Sequence, residues 1–381
     1  MKTIAIIAEY NPLHNGHIQH LQKAFFDSCQ TFPNLQKVAI ISGNFVQRGE
    51  PAICDKWLRT RMALLAGFDL VLELPLCYAT ASAENFAKGA ISILDACGII
   101  DSLCFGSELA DIFTLKNYAK TSQSENFDAI LQDNLKKGLS YPTAKTIAIE
   151  KTMSTEFPVA PNNVLGIEYI KALTAVNSKI VPYTVARSAG SAKTLRDSLK
   201  NGENVSDKMP TFAWKILNES IQNHGLPSLD NLSKIFHYKL RTNPTEFFAD
   251  ILDISEGLQN RLIKNAENNA LISEIIATAK TKRYTFLRLQ RAILHIILDV
   301  KKGYTPPQYI RILGFKKSQI LKQLQQQAKL PIIINLSQQE NLSSTAKTML
   351  NAEIESTKIY GLAFDKNLQI NEYKKSLVVL P

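Results

Sequence analysis

The sequence has no uninterrupted apolar stretch approaching the roughly 18 residues that a membrane helix requires, which excludes a helical transmembrane span and a membrane partner. Its first apolar run, in MKTIAIIAEYNP, is only about six residues long and leads into polar sequence rather than a cleavage site, so no signal peptide is expected. Cysteine is scarce and unpatterned: Cys29, Cys54, Cys77, Cys97 and Cys104 form an odd set without CxxC spacing. In apolar surroundings they read as reduced core thiols, which implies the cytoplasm. There is no internal repeat and no low-complexity tract. Acidic residues are nearly missing from one stretch: from Lys280 to Lys329, twelve Lys or Arg face Asp299 alone, a local charge of +11 against +10 for the whole chain. The rest is close to neutral, and a polyanionic partner is one reading of that face, a merely solvated basic surface the other.

At 381 residues the chain exceeds the usual span of one hydrophobic core, so two domains are expected. Apolar residues at 45% and charged residues at 20% are ordinary globular usage, which argues against a fibrous or disordered chain. Residues 1–200 alternate short β-rich runs (Thr3 to Ala8, Val38 to Ser42, Leu70 to Leu74, Leu103 to Phe105, Ile180 to Val185) with helical patterns. That alternation predicts α/β architecture, a Rossmann-like parallel sheet with helices on both faces. Residues 201–381 read as a mainly helical, basic domain. In it Phe286, Leu289, Ile293, Ile296 and Val300 make an apolar stripe, and Leu330 to Leu336 with Ser376 to Leu380 suggest a small strand pair.

The strongest chemical signal is the strand-loop-helix TIAIIAEYNPLHNGHIQHLQKAF. In an open α/β sheet, ligands bind beyond the carboxyl ends of the strands, where His14 and His17 would stand. Gly16 lets a phosphate approach the backbone, and the helix start behind it offers free N–H groups. Imidazole N–H groups there could stabilise charge on a departing pyrophosphate without any protein nucleophile. His14, His17 and His20 could instead suggest a metal site, but no cysteine or carboxylate completes a shell, so no protein-bound zinc is expected.

The HNGH element resembles the HxGH motif of the nucleotidyltransferase superfamily. The wider text, AEYNPLHNGHIQH, SGNFVQRGEPAICDKWLRTRMAL, FDLVLELP, CFGSE, PNNVLGIEYIKAL and KRYTFLRLQRAILHIIL, resembles the bacterial tRNA(Met) cytidine acetate ligase family over residues 1 to about 315. That resemblance implies ATP as a substrate with Mg2+, acetate activated as acetyladenylate, and acetyl transfer to the exocyclic amine of the wobble cytidine of elongator tRNA(Met). By motif, the ATP site would fall on Ile7, Ala8, Glu9, Tyr10, Asn11, Pro12, Leu13, His14, Asn15, Gly16, His17, Ile18, Gln19 and His20. Gly106, Asn162, Arg187 and Ser188 would complete it, with His14 and His17 as the catalytic pair. The alternatives are a turn for Gly106, a helix N-cap for Asn162 and a surface charge for Arg187.

Ser191 to Arg196 resembles the second signature of the superfamily, so Ser191 and Arg196 could contact the triphosphate, although the loop between Arg187 and Ser191 is short. Asn44, Gln47 and Arg48 could line the acetate or cytidine end, while Arg48, Lys56 and Arg59 read equally well as solvent-facing. For RNA, Lys282, Arg283, Tyr284, Arg288 and Arg291 combine cations with an aromatic. Tyr284 is expected to stack on a base, because Phe286 lies on the apolar stripe. Two other functions stay open: an adenylyltransferase acting on a small phosphorylated metabolite, and a noncatalytic RNA-binding protein. The sequence leaves the oligomeric state open.

Overall fold

The computed structural model describes residues 2–381 apart from 32, 33, 156, 158, 159, 188, 189, 304, 317 and 367, with backbone only at 26–31 and 318. Ten strands occur among them: β1 (Thr3–Ala8), β2 (Gln36–Ser42), β3 (Phe45–Val46), β4 (Glu50–Pro51), β5 (Leu70–Leu74), β6 (Ser102–Ser107), β7 (Val181–Ala186), β8 (Ile310–Phe315), β9 (Ile332–Ile333) and β10 (Val378–Val379). The main sheet runs β10-β8-β5-β2-β1-β6-β7, with β9 also on β8, while β3 and β4 form a separate hairpin. From β5 to β7 the strands are parallel, joined by helical crossovers such as Asn15–Thr31 and Ala83–Cys97. All five strands expected in residues 1–200 are present.

Alternation along the strands explains why β1 reads as a continuous apolar run. Ile4 and Ile6 face a core with Leu21, Phe25 and Met62, whereas Ala5 faces the opposite core with Ile91, Leu94 and Ile167. A strand covered on both faces shows no polar side. The register Ile6 to Ala39 and Ala8 to Ile41 aligns the carboxyl ends of β1 and β2, and Glu9 and Gly43 follow directly.

Residues 201–381 are rich in helices, including Thr211–His224, Leu258–Ala266, Ile272–Ala279, Phe286–Leu298 and Ser344–Gly361. They are not confined to a helical layer, however. β8 enters the main sheet antiparallel to β5, and β9 and β10 lie parallel to it. The two terminal runs are thus strands, but each pairs with β8 rather than with the other. Within Phe286–Leu298, Leu289, Ile293 and Ile296 are wholly buried, yet Phe286 is 46% exposed.

Candidate functional site

Beyond β1 the chain from Glu9 to Leu13 is tied down at both edges. Arg59, completely buried, donates to the carbonyl oxygens of Glu9 (2.8 Å) and Ser42 (3.0 Å), joining the carboxyl ends of β1 and β2. Asn11 accepts the Ile53 N–H at 2.7 Å, and Glu9 accepts the Gln47 N–H at 2.8 Å. Burial raises the pKa of the Glu9 carboxyl, an effect the Gln47 bond opposes. Tyr10 adopts φ 49° and turns its ring inward, edge-on to His17 at 5.2 Å and tilted against Phe68 at 6.1 Å. The side chains of Tyr10 and Leu13 are therefore core, so a ligand could meet only their backbone. Pro12 is buried, and Asn15 and Gln19 are exposed, with Asn15 donating to the Asp207 carbonyl at 3.0 Å. Ile18 packs into the core beneath the loop.

His14 and His17 stack with ring centroids 3.8 Å apart. The Gly16 N–H donates to Nδ1 of His14 at 3.0 Å, and the His14 N–H donates to Nδ1 of His17 at 3.2 Å. Each Nδ1 is therefore an acceptor, and in the neutral ring the proton sits on Nε2. Burial, with the Arg187 charge, lowers the His14 pKa to about 4. Burial also takes His17 well below its ordinary value, assisted by His14, His20 and Arg187. The pair is two neutral rings with fixed tautomers, each presenting one N–H donor where the helix Asn15–Thr31 begins.

On β6, a Cβ on Gly106 would lie 3.4 Å from Cδ2 of His20. That is ordinary van der Waals contact, so Gly106 lies directly beside the ring, and Nε2 of His20 is buried without a protein partner. Its pKa falls to about 4 through burial and Lys23. Gly190, at φ 116°, lies against the His14 ring, 3.5 Å from Cε1 by the same measure. Glu108, which sequence reasoning did not single out, organises this side. It accepts from Asn162 Nδ2 at 2.7 Å, from the Asn163 N–H at 3.1 Å and from Arg187 at 3.1 Å. Burial pushes the Glu108 pKa up, but these donors outweigh it and the carboxyl stays below its ordinary value. Asn162 is the second residue of its helix, whose N-cap is Ala160, so the capping alternative does not apply. The glutamate of CFGSE and the second asparagine of PNN were the available signals for Glu108 and Asn163.

Ser188 lies outside the described residues. Ser191 is the N-cap position of Ala192–Lys200, with no side-chain capping bond. Arg196 does not point free toward a triphosphate: it donates to the Asn11 carbonyl at 2.7 Å and to Glu50 at 2.7 Å. Asn44 is 2% exposed and bonded to the Lys56 N–H and to Thr357, so it braces the fold. Lys56 and Arg59 are fully buried, which overturns their reading as solvent-facing. Lys56 sits between Glu73 (2.7 Å) and Glu372 (2.6 Å). On the basic stretch, Arg283 and Arg288 engage Glu256, Arg291 engages Asp253, and Lys282 is exposed. Tyr284 is 9% exposed with its hydroxyl on the Glu256 carbonyl and Arg288 over its ring, so it offers no free face to a base. Among the described residues, no group of three or more His, Cys, Asp or Glu is arranged to hold a metal ion, and no helix is long and apolar enough to cross a membrane.

The HIGH nucleotidyl transferase family model matches residues 1–376. A tRNA(Met) cytidine acetate ligase from Caldanaerobacter subterraneus subsp. tengcongensis is 39% identical, covering 98% of both chains. A ligase of the same name from Caldicellulosiruptor bescii is also 39% identical, over 100% of this chain and 99% of that one. The crystal structure of Thermotoga maritima TmcAL bound with alpha-thio ATP superposes over both full chains with a TM-score of 0.91 at 32% identity. Motif and full-length likeness agree, and the chain belongs to the tRNA(Met) cytidine acetate ligase family of HIGH nucleotidyl transferases.

Proposed function

We propose that this protein is an ATP-dependent tRNA(Met) cytidine acetate ligase. It activates acetate as acetyladenylate and acetylates the wobble cytidine of elongator tRNA(Met) to N4-acetylcytidine in the cytoplasm. The observation that carries the reading is the stacked His14–His17 pair, with both Nδ1 atoms held by backbone N–H groups and both Nε2–H groups left to donate.

Acetate is ionised at neutral pH and needs no general base to attack the α-phosphorus. A bond forms between the carboxylate oxygen and phosphorus, the bond to the bridging oxygen breaks, and pyrophosphate leaves with the electron pair. His14 and His17 donate to the phosphate oxygens as that charge develops, and the helix start adds its N–H groups. Neutral rings suit this role, because they act as donors without giving up a proton. Gly106 presents bare backbone beside His20, and Arg187, held by Glu108, supplies a cation at the same edge. Mg2+ would belong to the nucleotide substrate and offset the charge of its triphosphate. In the second step the cytidine amine attacks the acetyl carbonyl, the bond from that carbon to the phosphate oxygen breaks so that AMP leaves with its electron pair, and the amine gives its proton to solvent. The base must be unstacked to reach the adenylate.

The test incubates the protein with ATP, Mg2+, labelled acetate and unmodified elongator tRNA(Met), followed by mass spectrometry of the digested nucleosides. The expected product is N4-acetylcytidine. A folded, tRNA-binding preparation that yields none would refute the proposal. The adenylyltransferase alternative predicts ATP consumption that acetate does not stimulate.

A further inference from the structure

A cavity of about 190 Å³ opens between the catalytic half and the helical half. One wall carries Glu50, Arg196 and Lys200, and the other carries Ile276, Phe286 and Gln290. We propose that this cavity receives one unstacked nucleobase of the RNA substrate, with Phe286 as its stacking platform. The inference rests on the tRNA reading above and assigns a role to a residue outside the expected RNA contacts.

Four observations converge. Phe286 is the first residue of its helix and is 46% exposed, a large aromatic face left uncovered at the cavity although its neighbours on the stripe are buried. Tyr284, the other aromatic between Lys282 and Arg291, is closed off by Arg288 and Glu256. The polar edge is preorganised: Gln290 Nε2 is held by the Arg48 carbonyl at 2.9 Å, leaving Oε1 as the acceptor end of the amide, and Glu50 is held by Arg196. An aromatic face beside fixed acceptors matches a base, which has a π-face and an edge that carries N–H donors. Finally, the volume is below the roughly 300–1,000 Å³ of sites that enclose drug-sized ligands, and it suits a single ring system.

The cavity also communicates with the nucleotide loop, because Arg196 spans from Glu50 on its wall to the Asn11 carbonyl behind His14. Lys200 is exposed at the rim, and Arg283 and Arg288 lie just before and after Phe286 in the chain. Of these cations only Lys200 lines the cavity, where it offers one exposed charge to a phosphate backbone, while Arg283 and Arg288 are paired with Glu256.

The experiment measures equilibrium binding of unmodified elongator tRNA(Met) by fluorescence anisotropy at one fixed salt concentration, for Phe286→Ala, Phe286→Leu and Phe286→Tyr. Acetate-dependent ATP–pyrophosphate exchange is run in parallel as a check on fold. Ala and Leu are each expected to weaken binding about tenfold, and Tyr to stay within about twofold of the parent, because stacking needs a π-face rather than bulk. If Leu binds as well as Phe, the residue only packs, and if all three match the parent, no base sits there. Parallel loss of binding and exchange would show a structural role, and each of these three results overturns the proposal. Failure of the parent to acetylate tRNA would sink the ligase reading while leaving the binding comparison intact.

Discussion

The main-chain N–H of His14 donates to Nδ1 of His17 at 3.2 Å, so the two rings are joined through the backbone as well as by stacking. Under the proposed mechanism His17 has two separable jobs: Nδ1 holds the loop, and Nε2–H donates to the phosphates. In His17→Asn the amide oxygen replaces Nδ1 as the acceptor, but nothing replaces the Nε2 donor. That variant should keep the urea midpoint of the parent and lose about 100-fold or more in acetate-dependent ATP–pyrophosphate exchange. His17→Ala should lose both. Equal exchange rates in His17→Asn and the parent would remove Nε2 from the mechanism.

The same arrangement sets a pH dependence. Protonating either ring puts a hydrogen on an Nδ1 that a backbone N–H already occupies, and burial lowers His14 to about 4 from an ordinary 6.5. The acid limb of kcat/KM for ATP, which reports the free enzyme, should fall near pH 4 rather than near 6.5. Because the folded pKa is the lower one, the unfolded chain binds more protons between these values. This contribution to stability is full above about 6.5 and is lost as pH falls toward 4. Urea titrations across that window check the second part, and a kinetic limb centred on 6.5 would mean that the free rings are solvated.

Arg59 is the mechanical link between strand ends. Its guanidinium donates to the carbonyl oxygens of Cys54 (3.1 Å), Glu9 (2.8 Å), Ser42 (3.0 Å) and Gly43. Arg59→Met should cost about 3 kcal/mol or more by urea denaturation, since it strands several buried acceptors. Arg59→Lys should recover only part, because one ammonium lacks the planar fork that reaches four oxygens. A loss below about 1 kcal/mol for Met would show that the carbonyls find other partners.

What was legible in the sequence follows from how local each signal is. β1, the loop and the helix Asn15–Thr31 are contiguous, and their periodicities and Gly16 announce them. Lys56, Arg59 and Arg311 were opaque because a charged residue is buried only when distant groups receive it: Lys56 and Arg311 meet Glu73 and Glu372. Arg311 also hid β8, whose apolar run was absorbed into a basic stretch. Helical spacing put Phe286 in the core with Leu289 and Ile293. As the first residue of the helix, however, it lies where the cavity opens, and Tyr284 takes the covered position.

That buried cluster carries the last expectation. Lys56 and Arg311 each bridge Glu73 and Glu372, so two cations match two carboxylates. Glu353, whose carboxyl accepts the Leu76 N–H, is the unmatched third. Burial and the nearby Glu73 push it up to about 8, although Lys56 opposes them. Here the folded pKa exceeds the ordinary 4.5, so the folded chain holds the extra proton, and stability falls as pH rises from 4.5 toward 8. The sign is opposite to that of the histidines. Glu353→Gln keeps an acceptor for Leu76 and removes the titration. It should therefore be more stable than the parent above about pH 8, with the advantage shrinking steadily toward 4.5. Parallel stability curves for parent and variant across that range would show that Glu353 carries no proton in the folded protein.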